Sequence, residues 1–206
     1  MIIGKTRRGL ENVEPKVNLT KEKYYYLSRV CRVFIIENKI KELPISLNKI
    51  IKNNKWKTIP YSKLIKQNIE QYQLLMDNNL GFVEFRNKNY FIYYDDRVEL
   101  EIQRFTVAHE IGHIVLNHFE IFSGTREQEA NMFAARLLMP ICVLYECKVS
   151  RAEEIKTLCN VNLTSAKYRF ERLQALKQRD KFYTDKTERS LYENFKEYIK
   201  RIVNEK

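Results

Sequence analysis

The spacing of apolar residues along the chain predicts a protein built mainly of helices. In the segment 20–42 apolar residues recur every three or four positions, as on one face of a helix, and Pro44 follows its end. Asp96, with Glu99 three residues later, is expected to cap the longest later helix. The predicted helices cover residues 20–42, 47–53, 97–118, 126–140, 151–159, 164–178 and 188–204.

One part of the chain has the pattern of strands. Two aromatic-rich runs within residues 81–94 flank the polar sequence RNKN, which predicts a β-hairpin with a tight turn. The sequence KWKTIPY is expected to be extended, because Pro60 opposes a helix there. The second hairpin strand, NYFIYY, is either an inner strand or an open edge to which an extended substrate could add.

These elements together indicate an α+β fold. We expect residues 1–19 to be a poorly structured basic N-terminus and residues 20–145 to form the main domain. Residues 146–206 are expected to form a helical C-terminal region. Within it, RAEEIKTLCNVNLTSAKYRFERLQAL resembles a helix-turn-helix, with Lys167, Arg169 and Arg172 on its second helix. Contact of these residues with DNA is one interpretation, and an ordinary solvated helix face is the other.

Composition and charge narrow the class of protein. The chain has 44% apolar and 31% charged residues, no signal-peptide pattern and no apolar run long enough to span a membrane, so we expect a cytoplasmic protein without membrane contact. Four cysteines without a CxxC pair indicate free thiols. The net charge is +11, and residues 1–60 hold 14 Lys and Arg against 5 Asp and Glu. This basic flank indicates either a nucleic-acid or acidic protein partner, or simply a solvated surface.

The sequence RFTVAHEIGHIVLNH contains all three histidines of the chain and an HExxH motif. Its histidines, His109 and His113, are four residues apart and therefore lie on one helical face, where both imidazoles can bind one Zn²⁺. Glu110 can reach a water at the metal without being a ligand itself. Gly112 permits close approach of another helix. Two inert, hydrogen-bonded histidines on a helix are the alternative.

A catalytic zinc site needs a third protein ligand. On a continuous helix His118 lies about 140° around the axis from His113, so we expect it to point away from the metal and to be dispensable for metal binding. The next predicted helix contains EQEAN. Its Glu127 and Asn131 are four residues apart, so one could bind the metal while the other orients a ligand histidine.

The two motifs, RFTVAHEIGHIVLNH and EQEANMFAARLLMP, together resemble the ImmA/IrrE family of zinc-dependent metallopeptidases. The resemblance covers about residues 44–140. It implies a zincin-like core with extra C-terminal helices, in which His109, His113 and Glu127 hold zinc and Glu110 is the catalytic carboxylate. Asn131 is then expected beside a ligand histidine, and Glu129 is the main rival of Glu127.

The resemblance also implies a function. Proteins of this kind often cleave helix-turn-helix repressors or antitoxins encoded beside them, so we expect a regulatory endopeptidase with such a protein substrate. The residue that stabilises the oxyanion is not identified; Tyr168 and Arg169 are candidates among many. A non-catalytic module that holds zinc and sequesters a repressor, or binds DNA, is the alternative.

Overall fold

The computed structural model describes residues 2–7, 19–67, 72–118 and 124–205, with the backbone alone for residues 2–7. The strands are β1 (Ile2–Arg7), β2 (Lys57–Pro60), β3 (Asn79–Arg86) and β4 (Asn89–Tyr94). The helices are α1 (Lys21–Glu37), α2 (Leu47–Asn53), α3 (Tyr61–Lys66), α4 (Gln73–Asn78), α5 (Leu100–Val115), α6 (Gly124–Leu138), α7 (Ile141–Glu146), α8 (Ala152–Cys159), α9 (Leu163–Gln178) and α10 (Lys186–Asn204). The predicted α+β fold is therefore confirmed.

Residue contacts divide the chain into two compact units. The first consists of Met1–Asn18 and Leu47–Ala134, and the second of Leu19–Ser46 and Ala135–Lys206. This differs from the expected division between residues 145 and 146, because α1 packs on α10 and so belongs with the C-terminal helices. In the part of the chain that the structure describes, no helix is both long and apolar enough to cross a membrane.

The first unit is built on a mixed four-stranded sheet in the order β1-β3-β4-β2. The predicted hairpin is confirmed: β3 and β4 are antiparallel, and both turn residues, Asn87 and Lys88, have the positive φ of a type I′ turn. The predicted extended segment is β2, which pairs in parallel with β4. Since β4 thus has partners on both sides, the interpretation that it offers an open edge to a substrate is wrong.

The N-terminal part of the chain contributes a strand that the sequence did not predict. β1 pairs antiparallel with β3, so the expectation of a poorly structured segment 1–19 is wrong for Ile2–Arg7. Residues 8–18 lie outside the described residues. A short strand gains its stability from its neighbour in the sheet, and that neighbour is more than seventy residues away along the chain.

The sheet is covered on both faces. Side chains alternate across β3, and Phe82 points into an aromatic cluster with Tyr61, Tyr72 and Tyr93, against α3 and α4. Gly81 faces the other side, towards α5. A Cβ at this position would lie 2.4 Å from Cγ2 of Thr106, so only glycine lets α5 pack so closely on the strand.

Three helix boundaries differ from the predictions by three or more residues, for local reasons. Helix α1 ends at Glu37 rather than residue 42, because Asn38 caps it and Lys39 has a φ of 54°. Helix α5 runs from Leu100 to Val115 rather than over 97–118. Asp96 does not cap it, because its carboxylate accepts a hydrogen bond from the backbone N–H of Ser62 instead.

The second unit is helical. Arg32 of α1 donates to the Thr187 hydroxyl at 2.6 Å and forms an ion pair with Glu188 at 3.3 Å, which fastens α1 to the start of α10. Helices α8 and α9 are joined by a tight turn in which Asn160 has a φ of 51° and Asn162 caps α9. All four cysteines belong to this unit, and all are buried free thiols as expected. Burial raises the pKa of Cys31 and Cys142 to about 12, so neither is a reactive thiolate.

Candidate metal centre

Helix α5 places the two histidines of the HExxH motif side by side in the interior of the first unit. The exposed fraction of each is 1%, and their Nε2 atoms lie 2.9 Å apart. The intervening Glu110 is fully buried at 0% exposure. Because charged and polar side chains are costly to bury without partners, such a group in an apolar helix indicates a site rather than a packing feature.

Gly112 sets how closely α6 approaches this helix. A Cβ at this position would lie 3.2 Å from the Cα and the carbonyl oxygen of Ala130, and 3.2 Å from Cδ1 of Phe133. Contacts this short to a backbone cannot be relieved by a side-chain rotation. The glycine therefore lets the two helices pack together, as expected from the sequence, and brings the first turns of α6 to the histidines.

Glu127, in the first turn of α6, completes a group of three possible ligands. One carboxylate oxygen lies 3.3 Å from Nε2 of His109 and the other 3.4 Å from Nε2 of His113. One ligand atom from each of the three residues lies within 4.8 Å of the others. The structure thus brings together the three predicted ligands; their binding of a metal stays a prediction.

The predicted helper of His109 also lies where it was expected. Nδ1 of His109 is 2.7 Å from the side-chain oxygen of Asn131. An amide oxygen only accepts hydrogen bonds, so Nδ1 carries the proton and Nε2 keeps a lone pair directed at the cluster.

His118 is not where the sequence placed it. Helix α5 ends at Val115, and Asn117 follows with a φ of 58°, so the chain turns back and returns the His118 ring to the helix. Its Nδ1 lies 3.0 Å from Nδ1 of His113, and its Nε2 lies 3.2 Å from a carboxylate oxygen of Glu129. The expectation that His118 points away is therefore wrong, because it assumed a helix that continues to residue 118.

This contact fixes the proton positions of His113. Glu129 accepts a hydrogen bond from Nε2 of His118, which leaves Nδ1 of His118 as an acceptor. His113 must then donate from its own Nδ1, so its Nε2 also keeps a lone pair towards the cluster. Glu129 was the rival candidate for the third ligand. Its carboxylate accepts the hydrogen bond from His118 instead, and it is not part of the group formed by His109, His113 and Glu127. His118 and Glu129 are thus the contributors that sequence reasoning missed.

The electrostatics of His113 and Glu127 favour the protonation states that bind a metal. Burial lowers the pKa of His113 to about 4, so its imidazole is neutral near pH 7. Burial also opposes the charge of Glu127, but the two histidine rings, which donate to the carboxylate when their Nε2 atoms are protonated, outweigh burial and lower the pKa of that carboxyl to about 2. For His109 burial acts to lower the pKa, and the hydrogen bond and negative charge of Glu127 raise it overall.

The donor set fits a divalent metal ion. Two nitrogen lone pairs and a carboxylate pointed at one another repel unless a proton or a cation lies between them. Around a tetrahedral ion with bonds of about 2.0–2.1 Å, donor atoms are separated by about 3.3 Å. The separations of 2.9, 3.3 and 3.4 Å between these donors are close to that value. Two imidazoles and one carboxylate also leave a fourth position open, as in catalytic metal sites.

The remaining candidates from the sequence lie in the second unit. Arg169 is 6% exposed, and its Nε donates to the backbone oxygen of Met139 at 2.7 Å. Tyr168 is 44% exposed, and Lys167 is exposed as well. Arg172 contacts the ring of Tyr24. Of the three basic residues considered for DNA contact, only Lys167 therefore has the exposed position that this interpretation requires.

Comparison with known protein families agrees with this geometry. Residues 71–171 match the family Peptidase_M78, described as the IrrE N-terminal-like domain. This part of the chain belongs to the ImmA/IrrE family. The match contains both α5 and α6, and with them every residue of the cluster. The IrrE-like domain is therefore a member of a metallopeptidase family, and the resemblance seen in the sequence is confirmed. No curated protein matches the chain significantly.

Proposed function

We propose that the IrrE-like domain is a zinc-dependent endopeptidase that cleaves a peptide bond in a protein substrate. The observation that carries the proposal is the convergence of His109, His113 and Glu127 next to the buried Glu110. Membership of the family supports a metallopeptidase. Two imidazole nitrogens and one carboxylate oxygen are also a ligand set that catalytic zinc sites use.

The roles of the residues follow from their positions. Zinc held by these three side chains would supply Lewis acidity, which polarises a peptide carbonyl and lowers the pKa of water towards about 7. Glu110 would take the proton from the attacking water and return it to the leaving amine, because it follows His109 directly and is outside the group of ligands. Asn131 and His118 would hold the ligand imidazoles in the tautomers that bind metal.

The proposed substrate is a helix-turn-helix transcription repressor or antitoxin, and the proposed location is the cytoplasm. This part of the proposal is supported by the family resemblance rather than by a contact in the protein. The alternative function, a module that holds zinc and sequesters a repressor without cutting it, requires the same three ligands but makes no use of Glu110.

The replacement Glu110→Gln separates the two functions. It removes the proton acceptor and preserves the size of the side chain, so we expect about one zinc ion per chain as in the wild type and a fall in cleavage of about 10²–10⁴-fold. Zinc would be measured by elemental analysis, and cleavage by mass spectrometry of a purified repressor encoded beside the gene.

Glu101→Gln is the matched control, since it makes the same change on the same helix, in its first turn and away from the cluster. This variant should cleave at the wild-type rate. Equal cleavage by the wild type and Glu110→Gln would contradict the peptidase mechanism. Inactivation of the repressor without cleavage, by all three proteins alike, would favour the sequestering module.

A further inference from the structure

A cavity of about 620 Å³ lies within the second unit. Its walls come from α1, the C-terminal end of α6, the start of α7, α9, the segment that follows α9, and the start of α10. All of these residues belong to the same unit. The volume is in the range of about 300–1,000 Å³ that is typical of small-molecule sites. Neither the proposed peptidase chemistry nor the family match gives this cavity a role.

The charge of the walls is strongly positive. Among the residues that the structure describes, seven basic side chains line the cavity against two acidic ones, Asp185 and Glu188. Apart from Arg32, which contacts both acidic residues, the basic lining residues are Lys21, Arg136, Arg169, Arg172, Arg179 and Lys181.

The carboxylates of Asp185 and Glu188 already have partners within the fold. Arg32 lies 3.3 Å from Glu188 and 3.6 Å from Asp185. Asp185 also caps α10 through the backbone N–H of Thr187, and Glu188 accepts a hydrogen bond from the backbone N–H of Thr184. These acidic groups therefore neutralise Arg32 and stabilise the fold. Within the described part of the chain, no further acidic side chain lines the cavity.

Two of the arginines are held in fixed positions. Arg136 and Arg169 are each 6% exposed; the Nε of Arg136 donates to the Ser28 hydroxyl at 3.0 Å, and that of Arg169 donates to a backbone oxygen. The guanidinium groups of Arg136 and Arg172 lie 4.4 and 5.4 Å from the centre of the Tyr24 ring. Planar guanidinium groups held in this way match the geometry of carboxylate, phosphate and sulfonate oxygens.

The cavity also offers apolar surface. Leu19, Ile141 and Leu176 line it with partly exposed side chains, and the ring of Tyr25 is 53% exposed at its wall. We propose that this cavity binds a small organic anion, with an oxyanion head placed among the arginines and an aromatic or aliphatic body against the apolar wall. Arg172, Arg179 and Lys181 concentrate positive charge along the wall of the cavity, which gives it a physical reason to attract such a ligand.

The test uses the full-length, zinc-loaded protein and the fluorescent probe 8-anilinonaphthalene-1-sulfonate, an aromatic body with an anionic head. We expect saturable binding of one probe per chain. Arg172→Gln should weaken binding about tenfold, because it removes one charge-assisted contact. Arg172→Lys, which preserves the charge but not the planar guanidinium group, should restore only part of the affinity. The uncharged analogue N-phenyl-1-naphthylamine should bind more weakly to the wild type and equally well to Arg172→Gln.

Arg189→Gln is the matched control, since it removes an exposed positive charge of α10 that does not line the cavity. It should bind the probe as the wild type does. The proposal is overturned if Arg172→Gln and wild type bind the probe equally, if Arg189→Gln weakens binding as much as Arg172→Gln, or if the uncharged analogue binds as tightly as the sulfonate. Circular dichroism of each variant shows whether a loss of binding comes from a loss of fold, and weaker binding by Arg172→Gln supports the proposal only when its spectrum matches that of the wild type.

Discussion

Residues outside the group of three possible ligands determine, through hydrogen bonds, which ring nitrogen of His109 and of His113 faces Glu127. Asn131 accepts from His109, and His118 accepts from His113 while Glu129 accepts from His118. Ligand histidines in metalloproteins are commonly held by such partners, whose loss typically costs 10–100-fold in metal affinity. The three-residue chain that ends at Glu129 is buried throughout, so water does not replace a lost member easily.

We therefore expect His118→Ala to bind zinc about 10–100-fold more weakly than the wild type, because His113 loses the acceptor that fixes its tautomer. His118→Gln is the control: its amide oxygen can accept from His113 and its amide nitrogen can donate to Glu129, so most of the affinity should be retained. Competition with a calibrated chelator measures both. If His118→Ala binds zinc as tightly as the wild type, His118 is dispensable after all.

The positions of single residues were predicted correctly from the sequence wherever they depend only on the spacing of two residues along one helix. The four-residue separation of His109 and His113 places them on one face of any helix, and the same holds for Glu127 and Asn131. The position of His118 depended instead on where α5 ends and on the left-handed conformation of Asn117. Neither has a strong signal in the sequence, since asparagine adopts that conformation often but not always.

The contact between α5 and α6 determines whether Glu127 reaches the histidines. Gly112→Ala would push the backbone of Ala130 away, since the new methyl group meets its Cα and carbonyl oxygen at 3.2 Å. We expect the free energy of unfolding to fall by about 1–3 kcal/mol and zinc binding to weaken, because the ligand helix shifts. Urea unfolding and zinc titration of the variant measure the two effects.

Gly124→Ala provides the comparison for this variant. A Cβ at Gly124 meets no atom of the described residues within 4 Å, so the same substitution at the start of α6 should leave zinc binding unchanged. Stability should stay the same or rise by up to about 1 kcal/mol, since alanine is the better helix former. Equal losses in the two variants would contradict the close contact with α6 as the cause of the effect at Gly112.

Asp96 connects the end of β4 to the start of α3. Its carboxylate accepts from the backbone N–H of Ser62 at 3.0 Å, in a helix whose own N-cap, Pro60, provides no side-chain bond. Partial burial acts against the charge, but the bonds with Ser62 outweigh it and lower the pKa of Asp96 below its ordinary value of 3.8. Because the folded pKa is the lower one, the stabilisation is complete above pH 3.8 and is lost as pH falls through the folded pKa.

Asp96→Asn should therefore unfold at a lower urea concentration than the wild type at pH 7, by about 1 kcal/mol. The difference should shrink below pH 4, where the wild-type carboxylate becomes protonated. Asp77→Asn, at an exposed position of α4 in the same unit, is expected to change stability less at pH 7. A difference for Asp96→Asn that stays constant from pH 7 to pH 3 would contradict this role.

The arrangement of elements was predicted less completely than the elements themselves. The hairpin, β2, the ligand helix and the helices of the C-terminal region were all visible in the pattern of apolar residues. The helices α3, α4 and α7 were missed, since six residues give too little periodicity to recognise. The role of Asp96 was also missed, because its partner Ser62 is distant in sequence.

Over the whole molecule, the partners of α1 and β1 were hidden from the sequence. Helix α1 packs on α10 through bonds between residues about 155 positions apart, and β1 pairs with a strand more than seventy residues away. A single sequence records which face of each element is apolar, but not which other element covers it. The net positive charge likewise did not show where the basic side chains lie. Some of those in the C-terminal part of the chain, including Arg169 and Arg172, line a cavity and not the open surface.

The central claim is that one zinc ion is held by His109, His113 and Glu127. The most direct test is a crystal of the zinc-loaded protein measured at the zinc absorption edge, with an anomalous difference map. The account predicts one strong peak per chain within about 2.0–2.2 Å of Nε2 of both histidines and of a Glu127 oxygen. A peak bound by Glu129 or His118 instead of Glu127, or the absence of any peak at the two histidines, would contradict it.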